Sequence, residues 1–511
     1  MEKGIDLSPD VLADVMNSIY HQEVGAGKMS TALYRETRRI FEKAAAEGMS
    51  KSNNPNVVRD TDFMTKYGHS IEVFSAFRAH AFGKQMAQEL KDKEGNLRSY
   101  KDWNEATKSI QSHFNQTWLQ TEYNTAVLRS EQAAAWQQFG EDKDVMPNLK
   151  WMPTSSATPR EDHSVFWQQG LTLPVDDSFW DSHYPADEWN CKCWLEQTDS
   201  AATKKSEMPG KGEMPSPAPG LTSNPGKQAE MFSPDHPYYD IPNGEKEQVE
   251  QQMTEADRVE EMVNEMKDMN LTDEEKNAIA ENNIELEKEL KMDKGSLMTI
   301  DEADKQSANP NYQPKYIPDP NGHLVLRGTG EKFSENPKYD KDSPFGINCQ
   351  TCCPAYNLRL RGFDVTAKGC TKGSDGEYLT YHPFEAYTNI DGSKAKPTTY
   401  YEWADKRGYK QMTAQRYEQF IAENCKEEGV YELSVGWKKM KGGGHVTIIQ
   451  RLHDGSIIRV EPQVDNSRER NSFAFLNDVV TKASNSRGIL RIDNKLIDPK
   501  YADIFAVNNK K

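Results

Sequence analysis

The stretch Asn348–Gly362 reads "NCQTCCPAYNLRLRG" and holds three of the chain's seven cysteines within five positions. Pro354 has no N–H, so it is tolerated in the first turn of a helix, and Gly362 suits a C-terminal cap. The spacing predicts a short helix that begins around Gln350–Cys353 and stops at Gly362. A cysteine at such a start meets the positive end of the helix dipole and unpaired N–H groups, both of which favour the thiolate. Cys349 and Cys352 both qualify as a nucleophile, and their positions alone do not separate them. Cys353 and Cys425 read as inert packing thiols.

A cysteine nucleophile needs a base, and "GGGHVTIIQRLHDGSIIRVEPQ" offers one. His445 follows three glycines at the head of an apolar strand, and a second strand returns after a turn. With a two-residue loop, Asp454-Gly455, Glu461 pairs with Ile448 and faces away from His445. With a three-residue loop, His453-Asp454-Gly455, and Gly455 left-handed, the register moves by one. Glu461 then lies opposite Thr447, diagonal to His445 and on its face, while Gln463 lies directly opposite His445. Either Glu461 or Gln463 can then orient the imidazole in a Cys–His–acid or Cys–His–amide arrangement. Zinc held by Cys349, Cys352, Cys370 and His445, or a redox pair of Cys349 and Cys352, are the competing readings.

The whole chain is 511 residues with a net charge of −17 and 36% hydrophobic residues. That length predicts several domains, and the low apolar content predicts linker or surface helix between them. The acidic balance argues against sequence-specific nucleic-acid binding, which needs a basic face. No apolar run approaches the roughly 18–20 residues of a membrane span, and the acidic, amphipathic start is not expected to be a signal peptide. An odd number of cysteines suits a reducing compartment.

The fold class expected is multidomain: a mostly α N-terminal region with a small irregular Trp/Cys-rich part, then an α+β C-terminal domain. Residues 1–197 are helical up to about Phe139, with one long helix over "FNQTWLQTEYNTAVLRSEQAAAWQQF", and then irregular and tryptophan-rich. In the irregular part, His163, His183, Cys191 and Cys193 form a candidate tetrahedral zinc site, because a small module with few long elements needs such a staple. The competing reading is an aromatic core tied by side-chain hydrogen bonds. Residues 198–243 are an expected linker, extended and mobile, with a docking island at "MFSPDHPYYDIPN". Residues 244–314 read as a solvated, acidic helical spacer with a capping box at Thr272 and Glu275. Residues 315–511 form the α+β domain.

Two resemblances add to this reading. The "NC" that opens a helix ending in "RG", the "GHV" strand and the "EPQ" strand end resemble the papain-fold toxin and protein-deamidase group. That resemblance implies a papain-like cysteine hydrolase with Cys349 as nucleophile, His445 as base and Glu461 as orienting acid. The group usually carries Asp at the last position, so Gln463 stays a competitor. The motifs "TEYNTAVLRSEQAAAW", "PREDHSVFWQQG", "DDSFW" and "WNCKCW", with "NPGK…FSPDHPYY" downstream, resemble the Mu F-like head morphogenesis family of tailed phages. This implies a minor capsid protein near the portal, present in the virion and in the host cytoplasm during assembly, with portal and other head proteins as partners. The C-terminal domain would act on a protein substrate as glutamine deamidase or peptidase, as an effector or toxin with an immunity protein. A head-assembly peptidase and a non-catalytic binding domain are the alternatives. No organic cofactor is expected.

Overall fold

The structure is a computed structural model that describes residues 7–25, 27–52, 60–154, 156, 161–210, 214–292, 302, 305–326, 330–436, 444–465, 467–470, 473, 475–476 and 487–508. The chain divides into two compact units, residues 1–257 and 258–511.

In the first unit, helices α1 (Pro9–Tyr20), α2 (Thr31–Lys51), α3 (Thr61–Gln88) and α4 (Trp118–Glu141) surround a core that includes Tyr34, Phe41, Phe74, Phe82 and Leu119. Ser30 and Asp60 cap α2 and α3 by accepting from the Leu33 and Phe63 N–H groups, which relieves orphan donors at each start. The predicted long helix enters α4 through a π-helical turn, His113–Thr117. There the buried Arg78 guanidinium donates to the Phe114 carbonyl and pairs with Glu122 at 2.6 Å. The irregular region is a three-stranded antiparallel sheet, with β1 (Asn148–Met152) between β2 (Thr172–Pro174) and β3 (Trp194–Thr198). Trp151, Phe166, Trp180 and Tyr184 form its aromatic core.

The expected mobile linker is instead largely part of this unit. Leu221, Met231, Phe232 and Tyr238 belong to the helical core, and the Phe232 ring lies 4.2 Å from that of Phe74. Buried Arg129 of α4 gathers the carbonyls of Ala186, Ser223 and Met231, so residues 186–231 are tied to one guanidinium. Backbone carbonyls leave no trace in composition, which is why Pro, Gly and Ser read as a free tether. The expected solvated spacer is also partly buried. Val249, Met253 and Ala256 of α5 (Asn243–Glu265) join the first core, while Val259, Met262 and Met266 pack with Ile279 and Ala280 of α6 (Asp273–Leu290) in the second unit. The Thr272–Glu275 capping box is present at the start of α6.

The second unit places α7 (Cys349–Leu360) against a five-stranded antiparallel sheet. The helix starts at Cys349, one residue before the predicted range, and Pro354 lies in its second turn rather than its first. Between α7 and the sheet come α8 (Asp375–Tyr381), α9 (Tyr400–Asp405) and α10 (Ala414–Asn424). The strands are β4 (Gly429–Gly436), β5 (Gly444–Arg451), β6 (Ile457–Glu461), β7 (Ser467–Arg470) and β8 (Ile489–Arg491). Their spatial order is β7-β6-β5-β4-β8. Cys352, Cys353 and Tyr356 of α7 pack with Val446, Ile448, Val460 and Leu490, whereas Tyr400, Trp403, Tyr417 and Phe420 pack with Leu433, Val435, Ile449 and Ile489. Alternate strand residues therefore serve two cores, as a sheet covered on both faces requires.

The β5–β6 hairpin adopts the three-residue loop. Leu452 N–H donates to Ser456 O at 2.9 Å, Gly455 N–H donates to Leu452 O at 2.9 Å, and Gly455 has φ +81°. Ile448 pairs with Val460 and Ile449 with Arg459, and the same register carries Glu461 opposite Thr447. A β-branched side chain at the left-handed position is strained, so Gly455→Val is expected to destabilise the second unit by about 1–2 kcal/mol. Urea unfolding of the purified chain measures this.

Candidate functional site

Cys349 is the first residue of α7 and is half-buried. The preceding Asn348 does not cap the helix with its side chain, because that amide is engaged elsewhere. Its Oδ1 accepts from Asn309 Nδ2 at 3.0 Å, and its Nδ2 donates to Lys368 O at 3.2 Å. Asn309 Nδ2 also reaches the carbonyl of Gln463 at 3.0 Å. One buried amide thus fastens the start of the cysteine helix to the chain just beyond β6. Gln350 fixes the next residue, donating to Gly376 O at 2.7 Å and Thr380 Oγ1 at 2.9 Å in α8.

The hairpin brings in the other groups. His445 Nε2 meets Glu461 Oε2 at 2.6 Å, and both side chains are largely buried. The Cys349 sulfur is close enough for its charge to act on the imidazole, and its thiol donates to Gln350 Oε1 at 3.6 Å. With Nε2 taken by Glu461, Nδ1 is the ring nitrogen that remains for proton transfer. Burial pushes the imidazolium down, but the Cys349 and Glu461 hydrogen bonds and charges outweigh it and raise His445 to about 10. Glu461 is itself held, since Arg459 Nη1 donates to the same Oε2 at 2.8 Å. Gln463 lies in the turn after β6, where its backbone N–H points at Glu461 Oε1 at 3.4 Å. Among the described residues it is the Glu461 carboxylate, not a Gln463 amide contact, that reaches the imidazole.

The remaining cysteines differ sharply. Cys352 and Cys353 are fully buried, and burial pushes both thiols far up, reinforced by the Cys349 and Glu461 charges. Burial likewise raises Cys425. Cys370 is half-buried, with its sulfur 3.9 Å from Thr380 Oγ1. Among the described residues, Cys349, Cys352, Cys370 and His445 do not form a metal-ligand group, whereas His163, Cys191 and Cys193 do. His183 stands outside that group: its Nδ1 meets Ser182 Oγ at 2.9 Å and its ring stacks on Phe179. Gly442 and Gly443, two of the three glycines before His445, and Arg160 of the "PREDHSVFWQQG" motif lie outside the described residues.

Asn309, Arg459, Arg487 and Glu432 escaped the sequence reading. The only signal for Arg459 is its place two residues before Glu461, on the same strand face. The charges of Arg487 and Cys349 interact, and a Cβ on Gly444 would meet the Arg487 guanidinium at 2.3 Å. Glu432 is fully buried on β4 beneath the helix, where Tyr387 Oη donates to it at 2.9 Å and burial pushes its carboxyl well up.

The family match falls in the first unit. Residues 83–196 match the model of the family described as "Phage Mu protein F like protein". Within the chain an 87-residue stretch is 26% identical to the "Putative capsid assembly protein F" of Escherichia phage Mu. That match covers 17% of this chain and 19% of the relative, so the chain spans about a fifth of the length of that protein. These similarities support a phage Mu F-like protein, and the family match leaves the second unit outside its residues. No solved structure matches. No helix among the described residues is long and apolar enough to cross a membrane.

Two outcomes follow for the site. Iodoacetamide is expected to modify Cys349 and Cys370 in the native chain and to reach Cys352, Cys353 and Cys425 only after unfolding; peptide mass spectrometry reads this. For Glu461→Gln, the sign is set by a folded His445 value above its ordinary 6.5. The stability gap between wild type and variant should be full below about pH 6.5 and shrink as pH rises through about 10. Urea denaturation across that range measures the gap.

Proposed function

We propose that the chain is a minor head protein of a tailed phage or prophage whose second unit is a papain-like cysteine amidohydrolase. The observation that carries the enzymatic part is the His445 imidazole held by the Glu461 carboxylate at 2.6 Å, on the sheet that the Cys349 helix covers. The head-protein part rests on the similarity of residues 83–196 to Mu F-like proteins. Portal and other head proteins are the partners this reading implies, in the virion and in the host cytoplasm during assembly. The second unit then acts on a host or phage protein, with an immunity protein as the means of protecting a producing cell.

In this mechanism the Cys349 thiolate attacks an amide carbonyl and forms a C–S bond. The His445 imidazolium gives its proton to the leaving amine, ammonia in the case of a glutamine side chain. The resulting thioester is hydrolysed by water, from which His445 takes a proton, and the carboxylate product and thiolate are released. Glu461 keeps the imidazole in one orientation and stabilises its charged form, and Arg459 holds Glu461 in place. Glutamine deamidation and peptide cleavage share every one of these steps.

The test uses the full chain and an electrophilic glutamine-type probe. Labelling is expected at Cys349, lost in Cys349→Ala, retained in Cys352→Ala, and slowed about 100-fold or more in His445→Ala. Unchanged labelling in Cys349→Ala would remove the nucleophile. A chain that takes no label at all leaves the non-catalytic binding domain as the reading. Conversion of glutamine to glutamate in cell proteins, read by mass spectrometry, separates deamidase from peptidase.

A further inference from the structure

The first unit carries a second cluster of reactive side chains that the proposed amidohydrolase does not use. His163 precedes a short helical turn, Ser164–Gln168, and Cys191 and Cys193 lead into β3. All three side chains are buried, and their ligand atoms lie within 4.8 Å of one another. The Cys191 sulfur is 3.3 Å and the Cys193 sulfur 3.9 Å from one atom, His163 Nδ1. Zinc bonds of about 2.3 Å to sulfur and about 2.0 Å to nitrogen, at a tetrahedral angle, separate the two ligand atoms by roughly 3.5 Å. The observed distances fall on either side of that value.

The other side of the imidazole is also prepared. Fully buried Asp187 places Oδ1 3.5 Å from His163 Nε2, and that oxygen has no hydrogen bond among the described residues. A carboxylate facing the far nitrogen favours the proton there, which leaves the Nδ1 lone pair for an ion beside the two sulfurs. On the open side, a cavity of about 510 Å³ is lined by the three residues together with Asn124, Asn190 and Lys192. A metal ion therefore has three protein ligands, an oriented imidazole and a polar space for a fourth.

We infer that His163, Cys191 and Cys193 bind one zinc ion, with Asp187 as the positioning residue behind His163 and water in the fourth position facing the cavity. The two thiolates balance the dication, and binding releases their protons. The ion joins the lead-in of β3 to the His163 turn, across a module whose sheet has only three short strands. His183, whose ring packs on Phe166 and Phe179, takes no part.

The experiment is metal analysis and cobalt titration of the full-length protein. After supply of zinc and removal of excess, the wild-type chain is expected to keep about one zinc ion, as a tetrahedral site does. Cobalt in its place should give thiolate charge-transfer absorption and the visible bands of tetrahedral coordination. Cys191→Ser and Cys193→Ser should lose the ion, and His183→Ala and Cys349→Ser should keep it. Asp187→Asn should weaken affinity about 10–100-fold with an unchanged circular dichroism spectrum. Wild-type protein that takes up neither metal overturns the site without reference to any variant. Zinc retained by the Cys191→Ser/Cys193→Ser double variant, or lost from His183→Ala, overturns the ligand set.

Discussion

The β5–β6 register is the constraint on which the second unit's site depends. Side chains alternate along a strand, so a slip of one residue would turn Glu461 away from His445. The left-handed Gly455 admits the third loop residue and fixes the pairing of Ile448 with Val460. Arg459 arrives on the same face as a by-product, because it sits two residues before Glu461. Asn309 then anchors the chain beyond β6 to Asn348, at the threshold of the cysteine helix. A turn residue remote from the sulfur thereby decides which groups the sulfur meets.

The pairing also explains why glutamate serves here. Diagonal neighbours on adjacent strands stand farther apart than direct partners, roughly 7–8 Å. The additional methylene of glutamate helps cross that diagonal, and the observed contact is 2.6 Å. The carboxylate accepts from both His445 and Arg459, so it is not free to swing toward solvent. Burial of these charges would be costly alone, but each charged group has an opposite partner within hydrogen-bond distance.

The sequence made much of this site legible, since its signals are local. A cysteine before a proline-bearing helix, a histidine after glycine, and a glycine-ended hairpin can each be read within a few residues. Asn309, Glu432 and Arg487 could not be read, because their meaning lies in contacts across long stretches of chain. The same limit applied to the choice between Cys349 and Cys352. Burial separates them, and burial depends on the sheet that α7 covers. In the first unit, the tryptophans and the Cys-x-Cys pair marked a small compact module, yet spacing could not distinguish His163 from His183. That distinction is made by aromatic packing around Phe179, which holds the His183 ring.

Arg129 sets a different kind of boundary, one that concerns inheritance. Besides the carbonyl of residue 186, its guanidinium collects those of residues 223 and 231, well past the end of the small sheet at Thr198. A gene fusion joined soon after that sheet would strip a buried cation of most of its acceptors, which is strongly destabilising. The first unit instead closes at residue 257. Exchange of C-terminal modules between relatives would therefore preserve the recipient only when the crossover falls beyond Met231, and the composition-biased stretch before it is inherited as part of the helical body.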